Sequence, residues 1–470
     1  MADETRLSAA KQRLLELRKH GLTSSAPAET HRMAGGPAPL SFSQEQVFRL
    51  EQTAGKLAPL YHESITIYRS GSCKIRAIEA SIAEIVRRHE IWRTTFEFRD
   101  GPPVQIVHAA PPSFSLSISD LRSLAENERE EKALDLATQD ARAPFDLSRL
   151  PLFRLRLVTL SDSEHRLFLT AHQIIVDGIT VFDVFPSELI ALYESFAAGK
   201  PSPLLEPAGQ SADFAAWQRS SVTGTALQNQ LEYWRNQLEG DLAALQWPSH
   251  GVRPQEQTFR GAIYPFSLGR ELTALLKGLA RQESSTPFMI LLAVLAALLH
   301  RYTSQTDIVI GTLSPGGRKR AELQRLLGYF LNPVPLRVKL HGKPTFRSLF
   351  RQMREVTLGA ISNDDVTLEM IGEHLGLQAD PSRSPLFTVA LSVAPDLPQL
   401  PQGWRMTYMD VESGGARWDL YIELSDRPDG MIGRAQYNPD LFTRNAIQET
   451  MDDLIALLKQ VADDPTQPIP

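Results

Sequence analysis

The sequence predicts an α/β protein built from two lobes of similar size. Its 470 residues are more than one ordinary hydrophobic core contains. From residue 40 onward, segments with helical spacing of apolar residues alternate with segments of strand-like spacing. Between the two halves, residues 200–209 read KPSPLLEPAG, and their three prolines favour a linker. The sequence carries no short-period repeat, which excludes a solenoid.

The first half contains an amphipathic helix and two clear strands. Residues 76–89 have apolar side chains at helical spacing. Residues 152–160 alternate apolar and polar positions, the pattern of a strand with one polar face. Residues 166–175 become apolar on both faces, as in a central strand, and a helix is expected over 181–198.

The second half repeats the alternation around one very apolar segment. Residues 288–299 read FMILLAVLAALL, which is shorter than the roughly 20 residues of a membrane span. A helix that is apolar on all sides is a buried one, so this segment is expected in the core. Helices are expected near residues 213–239, 270–282, 287–302, 345–361 and 443–463. Strands are expected near residues 262–267, 307–312, 333–340, 387–394, 404–412, 418–425 and 431–438.

Composition argues against several classes of protein. The 49 basic and 55 acidic residues form no basic stripe interleaved with aromatic residues, so nucleic-acid binding is not expected. The single cysteine, Cys73, excludes an internal disulfide and a cysteine zinc site. The charged N-terminus lacks the apolar core of a secretory signal, and no membrane span is predicted. A cytoplasmic location is therefore expected.

The ends of the chain differ in composition from its middle. Residues 6–19 predict a short amphipathic helix, and residues 20–38 have the small residues, prolines and glycines of a linker. This helix is a connector or a docking element, and we favour the connector because its pattern indicates no partner. We divide the chain into an N-terminal helix and linker, two lobes and the start of a further linker, at residues 1–38, 39–207, 208–465 and 466–470.

The segment from His172 to Gly178, HQIIVDG, carries the candidate chemistry. Here an apolar strand leads into polar residues, then Asp-Gly, then a helix. Asp-Gly after a strand indicates a tight turn, because Gly tolerates positive φ and the Asp side chain binds nearby backbone. Polar side chains at the end of a central strand lie where α/β proteins bind ligands. A lone His at a strand end is nevertheless more often structural than catalytic.

This segment resembles the HHxxxDG signature of condensation domains of nonribosomal peptide synthetases. Segments similar to that family's other motifs occur in the expected order between about residues 39 and 465. Before the signature they are LSFSQEQVFRLEQ, RRHEIWRTTF and PFDLSRLPLFRLRL. After it they are SADFAAWQR, YWRNQLEG, IVIGTLSPGGRKRAEL, LLGYFLNPVPLR, DPSRSPLF, WDLYIEL and YNPDLF. One such motif is weak evidence, whereas the ordered set is specific.

The resemblance implies two chloramphenicol-acetyltransferase-like lobes that form a V with a central tunnel. Phosphopantetheine arms enter the tunnel from both sides, one on an upstream donor carrier protein and one on a downstream acceptor carrier protein. The donor's acyl, peptidyl or polyketidyl group passes to the acceptor's amine, so this chain is expected to hold no cofactor of its own. The C-terminal ADDPTQPIP resembles a linker to an adenylation domain, which suggests a piece of a longer synthetase.

The resemblance also assigns roles to individual residues. His172 corresponds to the first histidine of the signature, which is mainly structural. Asp177 is expected to form a salt bridge that holds the loop, with Arg318 of the GGRKR segment as its candidate partner. Gly178 is expected to let the loop turn, and Asn332 to lie near the active-site region.

Gln173 stands where the family keeps its second histidine, at the centre of the tunnel. An imidazole exchanges protons near neutral pH, whereas a carboxamide does not. Gln173 can still accept a hydrogen bond from the attacking amine, or donate one to a developing oxyanion. Positioning of the two thioesters supplies part of the rate without a base. Losing a general base typically costs about 10² to 10⁴-fold.

Three interpretations of Gln173 follow from its chemistry. The domain condenses substrates with Gln173 as an orienting group, or it performs another task such as a tailoring reaction, or it is a non-catalytic platform for carrier or partner proteins. We favour the first. His172 is not expected to substitute, because adjacent strand residues face opposite sides. An engineered His-to-Gln change would produce the same sequence.

Overall fold

The computed structural model describes residues 36–54, 58–247, 251–342, 344–378, 380–394, 397–408 and 410–469. The helix predicted over residues 6–19 lies outside these residues. The α-helices are α1 (Phe42–Ala54), α2 (Ile75–Arg88), α3 (Glu126–Arg142), α4 (Phe185–Ala197), α5 (Ser211–Ser221), α6 (Gly224–Leu238), α7 (Gly269–Gln282), α8 (Pro287–Thr303), α9 (Phe346–Ile361), α10 (Leu368–Leu375) and α11 (Arg444–Asp463).

The strands form three open sheets. They are β1 (Ala38–Pro39), β2 (His62–Ser70), β3 (Thr94–Phe98), β4 (Pro103–Val107), β5 (Ser117–Asp120), β6 (Phe153–Ser161), β7 (Glu164–His172), β8 (Ala262–Leu268), β9 (Asp307–Ser314), β10 (Asn332–Lys339), β11 (Val389–Ala394), β12 (Trp404–Thr407), β13 (Leu420–Ser425) and β14 (Met431–Tyr437). A small sheet has the order β1-β4-β3. We call the bodies around the two larger sheets the first lobe and the second lobe.

The first lobe is built on a five-stranded sheet of order β12-β2-β7-β6-β5. All of its pairs are antiparallel except β5 with β6. One face packs on α2 and α4 in a large apolar cluster. The other face packs on α3 through Ala133, Ala137 and Ala141, which recur every fourth residue. The β7 strand lies in the middle of this sheet, as its apolar sequence predicts.

The second lobe is built on a six-stranded sheet of order β10-β9-β11-β13-β14-β8. Here β11 runs parallel to both of its neighbours, and the remaining pairs are antiparallel. The apolar segment of the sequence forms α8, as predicted. The Thr286 side chain caps this helix by accepting from the N–H of Met289 at 3.2 Å. Every residue from Met289 to Leu299 is buried.

Two sequence-based predictions about elements are wrong in the second half of the chain. The single helix expected over 213–239 is two helices, because the chain breaks at Val222–Thr223 and restarts at Gly224 with φ 52°. The strand expected over 404–412 covers only β12. It pairs with β2 in the first lobe, so the division at residue 207 does not separate the two sheets. Helices α1, α3 and α10 were not predicted.

No single helix in the described part of the chain is both long and apolar enough to span a membrane. Helices α7 and α8 meet that length only as a pair bent by 101°. Among the same residues, no group of three or more His, Cys, Asp or Glu side chains is arranged to hold a metal ion.

The burial of α8 gives a test of where the core lies. Leu295 is 0% exposed and Leu275, on α7, is 48% exposed. We expect Leu295→Ala to lower the free energy of unfolding by about 2–5 kcal/mol, since it leaves a cavity. Leu275→Ala should change it by about 0.5 kcal/mol at most. Denaturant unfolding followed by circular dichroism compares the two, and equal losses would contradict this account of the core.

Candidate active site

The signature segment leaves the first-lobe sheet at His172, the last residue of β7. Residues Gln173–Ile175 form a 3₁₀ turn, so the strand predicted to reach residue 175 ends at 172. The His172 ring stabilises this turn, because its Nδ1 accepts a hydrogen bond from the N–H of Ile174 at 3.1 Å. The backbone N–H of Gln173 donates to the carbonyl of Tyr61 at 2.7 Å. The turn therefore has a fixed position at the end of the sheet.

The His172 side chain points into the first lobe, as strand alternation predicts, and it is 0% exposed. Its ring lies beside Tyr61, His62 and Phe145. Since Nδ1 accepts a hydrogen bond, the proton of the neutral ring is on Nε2, 3.6 Å from Oε2 of Glu51. The neutral ring consequently has no free lone pair with which to take a proton from a substrate.

Asp177 and Arg318 form a buried ion pair between the two lobes, with the predicted partner. Nε of Arg318 donates to Oδ2 of Asp177 at 2.9 Å, and Nη2 donates to Oδ1 at 2.7 Å. The two side chains are 0% and 1% exposed. Such a two-pronged arginine–carboxylate contact fixes geometry as well as charge. It joins the signature loop to the 3₁₀ turn Gly316–Lys319, which follows β9.

The same pair has hydrogen-bond partners on all sides. Asp177 also accepts from the backbone N–H groups of Thr180 and Phe330, at 2.8 and 3.2 Å. Arg318 also donates to the carbonyl of Leu323 at 2.6 Å and to the hydroxyl of Thr180 at 2.8 Å. A buried ion pair is tolerated only when its remaining polar atoms are satisfied in this way.

Gly178 leaves space for a neighbouring ring and has no unusual backbone conformation. It begins the helical segment after the loop, and its φ is not positive, so the prediction that it turns the loop through positive φ is wrong. A Cβ at this position would lie 3.3 Å from Cε2 of Phe182, tighter than ordinary contact. Gly178 thus lets Phe182 pack against the start of the helix.

Asn332 ties the start of β10 to the loop after α9. Its Nδ2 donates to the carbonyls of Asp364 and Val366 at 2.9 and 2.7 Å. The buried carboxylate of Asp364 is bound by Lys319, although burial raises its pKa. A role for Asn332 beside the reacting groups stays a prediction.

Gln173 begins a line of polar side chains that crosses between the lobes. Its Nε2 donates to Oε1 of Glu63, near the start of β2. Nη2 of Arg434 lies 3.7 Å from Oε2 of Glu63, and Nε of Arg434 donates to Glu423 at 2.7 Å. Burial raises the pKa of Glu63, Arg434 opposes that rise, and the charge of Glu423 adds to it.

Sequence reasoning missed Glu63, Glu423 and Arg434. Glu423 on β13 and Arg434 on β14 are directly opposite each other in the second-lobe sheet. Each is a single charge in an alternating strand, which is also the pattern of a solvent-facing side chain. The available signal was the unlike charges on two consecutive strands, and it becomes specific only when their register is known.

A further contact joins the lobes near the signature segment. His89, in the RRHEIWRTTF segment, is buried at the end of α2. Its Nε2 lies 2.9 Å from Glu188, and its Nδ1 accepts from the backbone N–H of Leu327 at 3.3 Å. The segment Leu327–Phe330 is therefore held to the first lobe by both His89 and Asp177.

The protein-family model of the condensation domain matches residues 35–470. The chain belongs to the condensation-domain family. A linear gramicidin synthase of Brevibacillus parabrevis is 39% identical over 440 residues, which are 92% of this chain and 6% of that relative. Phosphinothricin tripeptide synthetase PhsC of Streptomyces viridochromogenes is 34% identical, over 98% of this chain and 43% of that relative. The chain thus spans less than half the length of each of these two relatives.

Solved structures confirm the predicted chloramphenicol-acetyltransferase-like fold class. The X-domain from teicoplanin biosynthesis aligns with a TM-score of 0.81 and 29% identity, over 92% of this chain and 96% of that one. The first condensation domain of the calcium-dependent antibiotic synthetase aligns with a TM-score of 0.80, over 92% and 98%. At 20% identity, the second likeness shows the fold alone.

The buried ion pair predicts a large loss of stability when one partner is removed. We expect Asp177→Ala to lower the free energy of unfolding by about 3–5 kcal/mol, because Arg318 keeps an unpaired charge in the interior. The matched control is Arg325→Ala. Arg325 pairs with Asp183 between the same two lobes at 3.2 Å, but the Arg325 side chain is 63% exposed. That loss should be at most about 1 kcal/mol.

Thermal and denaturant unfolding of the intact domain measure the free energy of unfolding of both variants. A loss for Asp177→Ala no larger than that for Arg325→Ala would show that the buried pair does not hold the lobes.

Proposed function

We propose that this domain forms an amide bond between two carrier-bound substrates, with Gln173 orienting the reacting groups. Condensation domains in general transfer an acyl or peptidyl group from a donor thioester to an acceptor amine. The observation that supports this most is the buried Asp177–Arg318 pair, with both hydrogen bonds below 3.0 Å. An intact signature loop is what a working site requires, because a loop without that pair would not hold Gln173 in one place.

The reaction needs little covalent help from the protein. The amine nitrogen of the acceptor attacks the carbonyl carbon of the donor thioester, a C–N bond forms, and the C–S bond breaks. The amine loses a proton, and the departing thiolate gains one. Gln173 cannot take that proton, but its Oε1 can accept a hydrogen bond from the amine and align the nitrogen lone pair with the carbonyl.

We propose the substrates and partners of this domain on the same grounds. Phosphopantetheine arms on an upstream donor carrier and a downstream acceptor carrier present the two thioesters, and an adenylation domain follows in the synthetase. The support is family membership over residues 35–470, together with a gramicidin synthase and a tripeptide synthetase of which this chain covers less than half. A cytoplasmic location stays a prediction.

A second candidate function is a platform that binds a partner protein without condensing substrates. The observation that favours it is the 29% identity to the teicoplanin X-domain, together with a solved complex of that X-domain with OxyB. In the platform reading, Gln173 marks a site that has lost its chemistry. This reading predicts carrier or partner binding with no product from any pair of loaded carriers.

The side chain of residue 173 separates these functions. In a reconstituted assay with loaded carriers, we expect Gln173→Ala to lower the condensation rate by about tenfold, the equivalent of one hydrogen bond. The measurement is mass spectrometry of the acceptor carrier after mixing with loaded donor. Glu164→Gln serves as the control, since Glu164 is an exposed residue at the far end of β7.

Each result of that assay decides between the readings. Product from the native chain that falls with Gln173→Ala supports an orienting role. Product at an unchanged rate would remove Gln173 from the mechanism. The native chain could give no product while Gln173→His gives product. That result would show that the glutamine inactivates or regulates the site, and it would favour the platform.

A further inference from the structure

Gln173 is bound by a side chain that no motif of the sequence indicated. The Nε2 of Gln173 donates to Oε1 of Glu63. An ionised carboxylate only accepts hydrogen bonds, so the amide nitrogen and not the amide oxygen must face it. The oxygen and nitrogen of a carboxamide project from its carbon in different directions. The contact with Glu63 therefore turns Oε1 of Gln173 away from Glu63.

Glu63 is itself held firmly. It lies near the start of β2, directly opposite Ala171 in the ladder with β7, so its backbone is fixed relative to the signature strand. Its carboxylate lies 3.7 Å from Nη2 of Arg434, and its side chain is 18% exposed. Arg434 is in turn bound to Glu423 at 2.7 Å. The second lobe thus keeps a positive charge beside Glu63, which favours the ionised carboxylate.

We infer that Glu63 is a positioning residue for Gln173: its carboxylate holds Nε2 and so directs Oε1 toward the acceptor amine. This inference rests on the proposed condensation function and deepens it. An amine is a hydrogen-bond donor, so it needs the oxygen of the carboxamide and not its nitrogen. Glutamine alone could present either group, and the neighbouring carboxylate removes that ambiguity.

Protonation of Glu63 would remove this constraint. A neutral carboxyl group can donate to Oε1 of Gln173 as well as accept from Nε2, so either carboxamide group could then face the substrate. The charged and titratable groups that face Glu63 are Arg434, Glu423 and the phenol of Tyr421. Burial, with the charge of Glu423, raises the pKa of Glu63 above its usual value near 4.3, while Arg434 lowers it. Ionised Glu63 is the active form, so the rate should fall as pH decreases through that pKa.

The experiment measures the rate of amide formation against pH for the native domain and three variants, with loaded carriers as substrates. Glu63→Gln keeps the size of the side chain and removes its charge. We expect it to lower the rate about tenfold at neutral pH and to leave only the loss of rate at low pH that protonation of the acceptor amine itself causes. Glu63→Asp keeps the charge one methylene further back, and it should retain the pH dependence at a reduced rate. Glu164→Gln lies at the end of β7 opposite His172, and its rate and pH profile should match those of the native domain.

The outcomes separate this inference from the function on which it rests. Unfolding midpoints show which variants are folded, and the rate of Glu63→Asp against that of Glu164→Gln still decides if Glu63→Gln does not fold. A native rate with no loss at low pH, or a Glu63→Gln profile identical to the native one, would overturn the role of Glu63 and leave condensation standing. No product from the native domain with any loaded pair would overturn condensation, and the inference with it.

Discussion

The Asp177–Arg318 ion pair is the contact on which the geometry of the site depends. It joins the loop that follows β7, the central strand of the first lobe, to the turn that follows β9 of the second lobe. Both side chains are buried, so the pair is stable only while each of its polar atoms has a partner. Backbone groups of Thr180, Phe330 and Leu323 provide those partners. Any shift of one lobe would break several of these bonds together.

The ion pair holds the loop in place, and the two residues at the start of the loop, His172 and Gln173, are held in different ways. The His172 ring is enclosed and its Nδ1 binds the turn, which makes it part of the scaffold. Gln173 lies on the opposite side and reaches Glu63, and through it the Arg434–Glu423 pair of the second lobe. The site therefore holds a side chain that transfers no proton in a rigid setting. In the proposed condensation reaction, orientation and electrostatics are the means of catalysis available to it.

Sequence reasoning found the elements whose patterns are local. The helix α8 is apolar throughout, and β6 alternates cleanly, so each was predicted close to its observed bounds. Helix α3 was missed because only small alanines form its buried face, which gives little apolar signal. The place of β12 was missed because its pairing with β2 depends on chain far away in sequence.

The residues of the site differ in the same way: some could be predicted from local sequence, and others depend on contacts between distant parts of the chain. Asp177 and Arg318 were matched through a family resemblance, because both belong to recognisable motifs. Glu63 and Arg434 belong to no motif, and their contact with Gln173 exists only after two sheets have been brought together. Gly178 was predicted for the wrong reason, since a turn signal does not reveal that the ring of Phe182 lies above it.

The most direct test of this account is a crystal structure of the domain with an amine-bearing mimic of the acceptor aminoacyl-pantetheine arm. The account predicts the amine nitrogen of the mimic within about 2.7–3.2 Å of the Gln173 side-chain atom that faces away from Glu63. Glu63 should remain bound to the other carboxamide atom. An amine held by other side chains, or a Gln173 side chain released from Glu63 in the complex, would contradict it.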